Sequence, residues 1–336
     1  MNGGRYIYWL SLSVLISNPI WGFFNEKNMS KFNFKNKSII SVDDLRKEEI
    51  LYILDKTKEF KKNQKYDLLK DKIMGSLFFE PSTRTRLSFE AAINRLGGRV
   101  IGFADSNVTS IKKGESLHDS IKIISQYCDI IAMRHPKEGT IEEVSKVISK
   151  PIINAGDGTN QHPTQTLLDL FTIQETQDKL ENLSIAFVGD LKYGRTANCL
   201  TLALQHFKSK IYFVAPDSLQ MQARVLKQLD KNNIEYSLHK KIEEVINKVD
   251  ILYMTRIQQE RFSNIEEYKK LKGTYILKKD NLDNVKDNFK IMHPLPRVDE
   301  IDREVDDTPY AYYFEQAQNG LYLREALISL ILGAIN

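Results

Sequence analysis

Ile73-Met74-Gly75-Ser76-Leu77-Phe78-Phe79 runs straight into Glu80-Pro81-Ser82-Thr83-Arg84-Thr85-Arg86, and this junction decides the fold. The apolar run 73–79 reads as a buried parallel strand. Beyond it, Phe89, Ala92, Ile93 and Leu96 recur at helical spacing until Gly97-Gly98 ends the pattern. Residues 82–85 therefore sit where a strand turns into a helix. A helix N-terminus offers unpaired backbone N–H groups and the positive end of a dipole. Ser82, Thr83 and Thr85 add hydroxyls, and Arg84 adds a guanidinium able to grip an oxyanion with two hydrogen bonds. The arrangement suits a phosphate; it also fits an ordinary N-cap followed by a solvated basic turn.

At 336 residues the chain is long enough for two domains with cores of their own. The formal net charge is +4, with lysines spread among many acids and no single basic stripe, so no nucleic-acid partner is expected. A mildly basic balance is compatible with anionic small molecules without requiring them. Cys128 and Cys199 lie far apart, without CxxC or His-rich spacing, and read as buried reduced thiols. The 6 histidines form no helical metal-binding pair, and neither a metal nor a cofactor is expected.

Residues 6–24 are mostly apolar and follow Arg5, but Ser11, Ser13, Ser17, Asn18 and Pro19 interrupt them. The strongly apolar part is short for a membrane span and is similar to a signal-peptide core. Residues 25–37 are rich in Asn, Lys and Ser with one acid, Glu26, as in transit-type sequences. Residues 1–36 are therefore set apart as an extension, read as a leader for an organelle or the secretory route. An unprocessed cytoplasmic extension, with Met29 as the true start, is the alternative.

Further along, strand and helix signals alternate. Ser41-Val42-Asp43-Asp44 reads as a capped helix start, the helix running to about residue 62. A short strand is expected at 100–103, and 105–115 is a polar loop with Lys112 and Lys113 near its tip. A helix at 116–126 and strands at 129–133 and 151–155 follow, then a helix at 164–176 and a polar join at 174–181. Strands at 183–188, 210–214, 235–238, 250–254 and 289–292 come next, with helices centred near Leu226, Val245 and Tyr268 between them. An apolar helix is expected at 321–335. The alternation predicts an α/β fold of two doubly wound parallel-sheet domains, residues 37–175 with 316–336 and residues 176–315.

In an open parallel sheet, ligands bind beyond the carboxyl ends of the strands. The ends here carry Ser82 to Thr85, Arg134, His162 with Gln165, Arg195, Arg256 with Gln258, and the turn His293-Pro294-Leu295-Pro296-Arg297. Each alone reads as a surface arginine or a loop histidine. Together they predict a cleft between the domains, because many cations gather in one place only where anions fill it. Gly189 and Gly194 lack the three-glycine spacing of a dinucleotide fingerprint, so a dehydrogenase is the weaker reading.

The run from Glu80 to Glu90 resembles the carbamoyl-phosphate loop of the carbamoyltransferase family. Met133-Arg134-His135-Pro136, His162-Pro163-Thr164-Gln165, Gly189-Asp190-Leu191-Lys192-Tyr193-Gly194-Arg195, Tyr253-Met254-Thr255-Arg256-Ile257-Gln258 and His293-Pro294-Leu295-Pro296-Arg297 resemble motifs of its aspartate branch. The resemblance runs from Phe34 to the C-terminus. The ornithine branch carries a Cys where this chain has Pro294, and it lacks the Met-Thr-Arg-x-Gln element.

The resemblance implies a role for each residue. Ser82, Thr83, Arg84 and Thr85 would hold the phosphate of carbamoyl phosphate. Thr85, Arg134 and His162 would face the carbamoyl carbonyl oxygen, with His162 a neutral donor, and Gln165 the carbamoyl amine. Arg195 would bind one carboxylate of L-aspartate, and Arg256 with Gln258 the other. The Leu295 carbonyl, before a cis bond to Pro296, would accept from the substrate amine. The resemblance also implies a homotrimer whose loop 105–115 brings Ser110 and Lys113 into a neighbouring subunit's site, Lys113 serving both substrates. The product would be carbamoyl-aspartate, formed without a covalent enzyme adduct. An ornithine-type enzyme and a catalytically silent phosphate-binding protein remain as alternatives.

Overall fold

The computed structural model describes residues 32–258 and 265–335. The leader expected at the N-terminus lies almost wholly outside the described residues. Its boundary shifts, however. Phe34 is buried and stacks on Tyr52 at 6.0 Å between ring centroids, and the Asn36 N–H donates to the Ile331 carbonyl at 2.8 Å, so the packed chain begins before residue 37.

The first sheet comprises β1 (Ile73–Phe78), β2 (Arg99–Phe103), β3 (Ile130–His135) and β4 (Ile152–Asp157), in spatial order β2-β1-β3-β4 and parallel throughout. The second comprises β5 (Ser184–Val188), β6 (Lys210–Val214), β7 (Tyr236–His239), β8 (Ile251–Met254) and β9 (Lys290–Met292), in order β7-β6-β5-β8-β9, again parallel. Strands β3, β5 and β8 read as near-continuous apolar runs because side chains on both of their faces are buried. In both sheets the strand order reverses beside the first strand, and such a reversal opens a crevice at the carboxyl ends. The register there matters for the site. Phe78 pairs with Arg134, and Val188 pairs with Met254, so the loops that follow each pair emerge side by side.

The helices are α1 (Lys47–Lys62), α2 (Thr83–Arg95), α3 (Leu117–Gln126), α4 (Thr140–Ser145), α5 (Pro163–Gln177), α6 (Arg195–Leu204), α7 (Ala223–Lys231), α8 (Ile265–Leu271) and α9 (Tyr313–Ile331). Three depart from expectation. Ser41 does carry a capping box, but over a single 3-10 turn, Val42–Asp44, and α1 starts afresh at Lys47. The helix expected near Val245 is a pair of 3-10 turns, Ile242–Glu244 and Ile246–Lys248, broken where Val245 leaves helical geometry at φ −129. Helix α9 starts earlier and ends earlier than 321–335 because its polar first turns are also buried, Gln316 and Asn319 included. It packs on α1, α2 and α5.

Side-chain bonds tie α5 to the second sheet. Tyr253 on β8 donates to Asp169 on α5 at 2.8 Å, and Gln177 and Asn288 exchange hydrogen bonds between the end of α5 and the start of β9. Among the described residues no helix is long and apolar enough to cross a membrane, and no cluster of three or more His, Cys, Asp or Glu is placed to hold a metal ion.

Candidate active site

The carboxyl ends of both sheets open onto one cleft of about 610 Å³. Ser82, Thr83, Arg84 and Thr85 enter it from the start of α2, Arg134 from the end of β3, and His162 and Gln165 from the start of α5. Arg195 enters from the start of α6, Arg256 and Gln258 from the segment after β8, and Leu295 and Pro296 from the turn after β9. Ser110 and Lys113 are not brought in. Both are exposed on the 105–115 loop, outside the cleft of their own chain, where two 3-10 turns are closed by Gly114 at φ 96.

At the start of α2, Ser82 is extended at φ −158 and its hydroxyl makes no cap bond to the helix; no acid occupies the first turn. The first N–H groups are thus left for another acceptor. Burial, and then the neighbouring Arg134, hold the Arg84 guanidinium below its ordinary pKa.

Among the described residues, five arginines line the cleft, namely Arg84, Arg134, Arg195, Arg256 and Arg324, against a single acid, Glu80. Glu80 lies 2.7 Å from Arg134 and 3.8 Å from Arg195. The two guanidinium groups converge over Gly156, whose φ of +120 and missing Cβ are both needed. An added Cβ would sit 2.9 Å from Arg195 Nη2 and 3.1 Å from Arg134 Nη1.

His162 is buried among these cations. Burial, then Arg195, Arg134 and Arg324, hold its imidazole well below the ordinary histidine value, so it is neutral at pH 7 with one N–H to donate. Asp190, itself fully buried, accepts the Tyr193 N–H at 2.9 Å, and Gln258 Nε2 donates to the Tyr193 carbonyl at 3.4 Å. The first bond shapes the loop that carries Arg195, and the second holds it against the loop that carries Arg256. After β9, His293 Nδ1 accepts the Leu295 N–H at 2.8 Å and Nε2 pairs with Glu300 at 2.7 Å. The Leu295–Pro296 bond is cis, as the resemblance implies.

Sequence reading missed four residues around the cleft, Glu80, Asp169, Gln316 and Arg324. Arg324 is 3% exposed, lies 4.8 Å over the Phe89 ring, and donates to the Gly320 carbonyl and Thr164 Oγ1; burial lowers its pKa to about 9. Its signal was present. Leu327, Ile328 and Ile331 follow it at i+3, i+4 and i+7, so a cation stands on the apolar face of its helix. Asp169 is fully buried, and burial pushes its carboxyl up to about 7.

Comparison with known proteins converges on one family. Residues 37–175 match the model "Aspartate/ornithine carbamoyltransferase, carbamoyl-P binding domain", and residues 181–331 match "Aspartate/ornithine carbamoyltransferase, Asp/Orn binding domain". The aspartate carbamoyltransferase catalytic subunit of Parabacteroides distasonis is 53% identical over 300 residues, spanning 89% of this chain and 98% of that protein. The aspartate carbamoyltransferase family includes this chain. The corresponding Chromobacterium violaceum subunit is 54% identical over 296 residues, spanning 88% of this chain and 98% of its own.

Solved aspartate carbamoyltransferase structures share the fold. The catalytic subunit from M. jannaschii superposes with a TM-score of 0.82 at 47% identity, covering 88% of this chain and 97% of its own. The Trypanosoma cruzi enzyme, in complex with carbamoyl phosphate and aspartate, gives 0.83 at 37% identity, covering 89% and 98%. Members of the aspartate carbamoyltransferase family are transferases, and so is this chain, which removes the dehydrogenase reading of Gly189 and Gly194.

Proposed function

We propose that the cleft transfers the carbamoyl group of carbamoyl phosphate to the amine of L-aspartate, giving N-carbamoyl-L-aspartate and phosphate, a step of de novo pyrimidine synthesis. The observation that carries this reading is the excess, among the described residues, of five arginines over one carboxylate around a neutral, buried His162. Two dianionic substrates supply the charge that such a site lacks.

The open N-terminus of α2, with Ser82, Thr83, Arg84 and Thr85, holds the phosphate. Thr85, Arg134 and His162 donate to the carbonyl oxygen and stabilise the negative charge that grows on it as the carbon becomes tetrahedral. Gln165 accepts from the carbamoyl amine. Arg195 on one loop, and Arg256 with Gln258 on the other, grip the two aspartate carboxylates as planar forks, which selects a dicarboxylate. The Leu295 carbonyl accepts from the attacking amine. The deprotonated amine forms the new C–N bond, the C–O bond to phosphate breaks, and the departing phosphate takes the amine proton. Holding the reactants in line supplies most of the acceleration, and no enzyme nucleophile is required.

Lys113, with Ser110, completes the site of a neighbouring subunit in a homotrimer; their exposure outside their own cleft supports this reading. The full-length chain, given carbamoyl phosphate, should carbamoylate L-aspartate and not L-ornithine. Product from ornithine, or from neither, would refute the proposal.

A further inference from the structure

The buried carboxylate of Asp169 has a job that the proposed reaction leaves open. It lies on α5 one turn beyond Gln165 and collects three donors. Gln165 Nε2 donates to its Oδ1 at 2.9 Å, Gln316 Nε2 donates to the same oxygen at 2.6 Å, and the Tyr253 hydroxyl donates to Oδ2 at 2.8 Å. The donors come from α5, α9 and β8, so one side chain ties two helices to a strand of the second sheet.

Both Asp169 oxygens act as acceptors, Oδ1 for the two amides and Oδ2 for the phenol. Both glutamines must therefore turn their NH₂ groups to Asp169, and their oxygens are committed to the opposite side. For Gln316 that oxygen takes the His293 N–H at 2.8 Å, at the head of the turn bearing Leu295 and Pro296. For Gln165 the oxygen is the end left for the cleft that it lines. An amide rotates about its last bond at little cost, and a flipped Gln165 would offer an N–H where the substrate amine also offers one.

We propose that Asp169 is a positioning residue, fixing the Gln165 amide with its oxygen toward the carbamoyl amine and, through Gln316 and the His293 backbone, fixing the turn after β9. This rests on the carbamoyl phosphate reading of the cleft and assigns Asp169 no contact with substrate.

Three ligands separate this role from general packing. Carbamoyl phosphate carries the amine, acetyl phosphate puts a methyl in its place, and inorganic phosphate lacks the acyl group. Calorimetric titration of the full-length chain should give roughly tenfold preference for carbamoyl over acetyl phosphate, the worth of one well-made hydrogen bond. Asp169→Leu should reduce that preference to within about twofold while inorganic phosphate binds as before. Asp169→Asn should keep most of it, since its oxygen can serve both glutamines while its Nδ2 turns to the Tyr253 hydroxyl, which also accepts.

The double variant Asp169→Leu/Gln316→Leu leaves no buried amide facing a leucine, and it should show the same loss if the single variant does not fold. A folded leucine variant that retains the wild-type preference overturns the proposal, as does equal weakening of all three ligands. A wild-type chain that binds carbamoyl phosphate no better than inorganic phosphate instead overturns the functional reading, and this inference with it.

Discussion

Glu80 bridges Arg134 and Arg195, at 2.7 Å and 3.8 Å, and so joins a cation at the end of β3 to one at the start of α6. One side chain thereby orients an arginine from each sheet and dilutes the repulsion between them. All three partners are mostly buried, so removing Glu80 takes a negative charge from beside two desolvated guanidinium groups. Glu80→Gln should lower kcat/KM for aspartate by about tenfold or more, a loss of about 1.4 kcal/mol. The larger part should appear in KM for aspartate because Arg195 loses its guide. Steady-state kinetics with each substrate varied in turn would check this, and an unchanged aspartate KM would argue against the bridge.

Arg195 and Arg256 stand on neighbouring loops tied through Tyr193, whereas Ser82 to Thr85, proposed to hold the phosphate, come from the start of α2. Arg256→Ala should therefore weaken aspartate by about a hundredfold, the upper range for a charge-assisted pair, and leave the carbamoyl phosphate dissociation constant within about twofold. Comparable losses for both substrates would mean that the two halves of the cleft are not separable.

His162 sets a pH dependence of stability. Its folded pKa lies well below the ordinary value, so between the two values the unfolded chain binds the proton and the native chain does not. Its contribution is fully present above about pH 6.5 and is lost as pH falls from there toward the folded pKa. His162→Asn should shrink the difference in urea-unfolding free energy between pH 7.5 and pH 5 by up to about 2 kcal/mol. Turnover in the wild type should show no ionisation of His162 near neutrality.

Lys113 and Ser110 lie outside their own chain's cleft, which makes complementation the discriminating test of a shared site. Lys113→Ala and Arg84→Ala should each be inactive as pure trimers. After verified exchange in equal amounts, about a quarter of the sites should pair an intact Arg84 with an intact Lys113 and recover turnover in that proportion. No recovery would place Lys113 outside the site.

The strand ends were legible because each is marked twice, by an apolar run and by the polar residues that break it, as at Phe78 and Ser82 or Met133 and Arg134. What was not legible lies inside helices. Asp169 follows Leu167 and Leu168 and passes for a solvent-facing position, since an acid in a helix is ordinarily solvated. Only tertiary packing puts Gln316 and Tyr253 beside it. Ile242, Val245, Ile246 and Val249 mimic helical spacing because all four pack into one apolar cluster, and two short turns deliver them there as well as a helix would. The loop 105–115 is illegible for another reason, because its proposed partner is a second molecule.

Helix α9 packs against α1, α2 and α5, yet it is made after both sheets and supplies Gln316 and Arg324 to the cleft. On the ribosome, the elements around β1 to β4 emerge first but cannot close their surface until the last of these turns has left the exit tunnel. The nascent first half therefore carries an apolar seam, and a half-assembled anion site, for the whole time the second sheet is being translated. Competence to bind phosphate should arrive late and all at once, a natural clock for ribosome-release experiments and a period in which chaperones have something to hold.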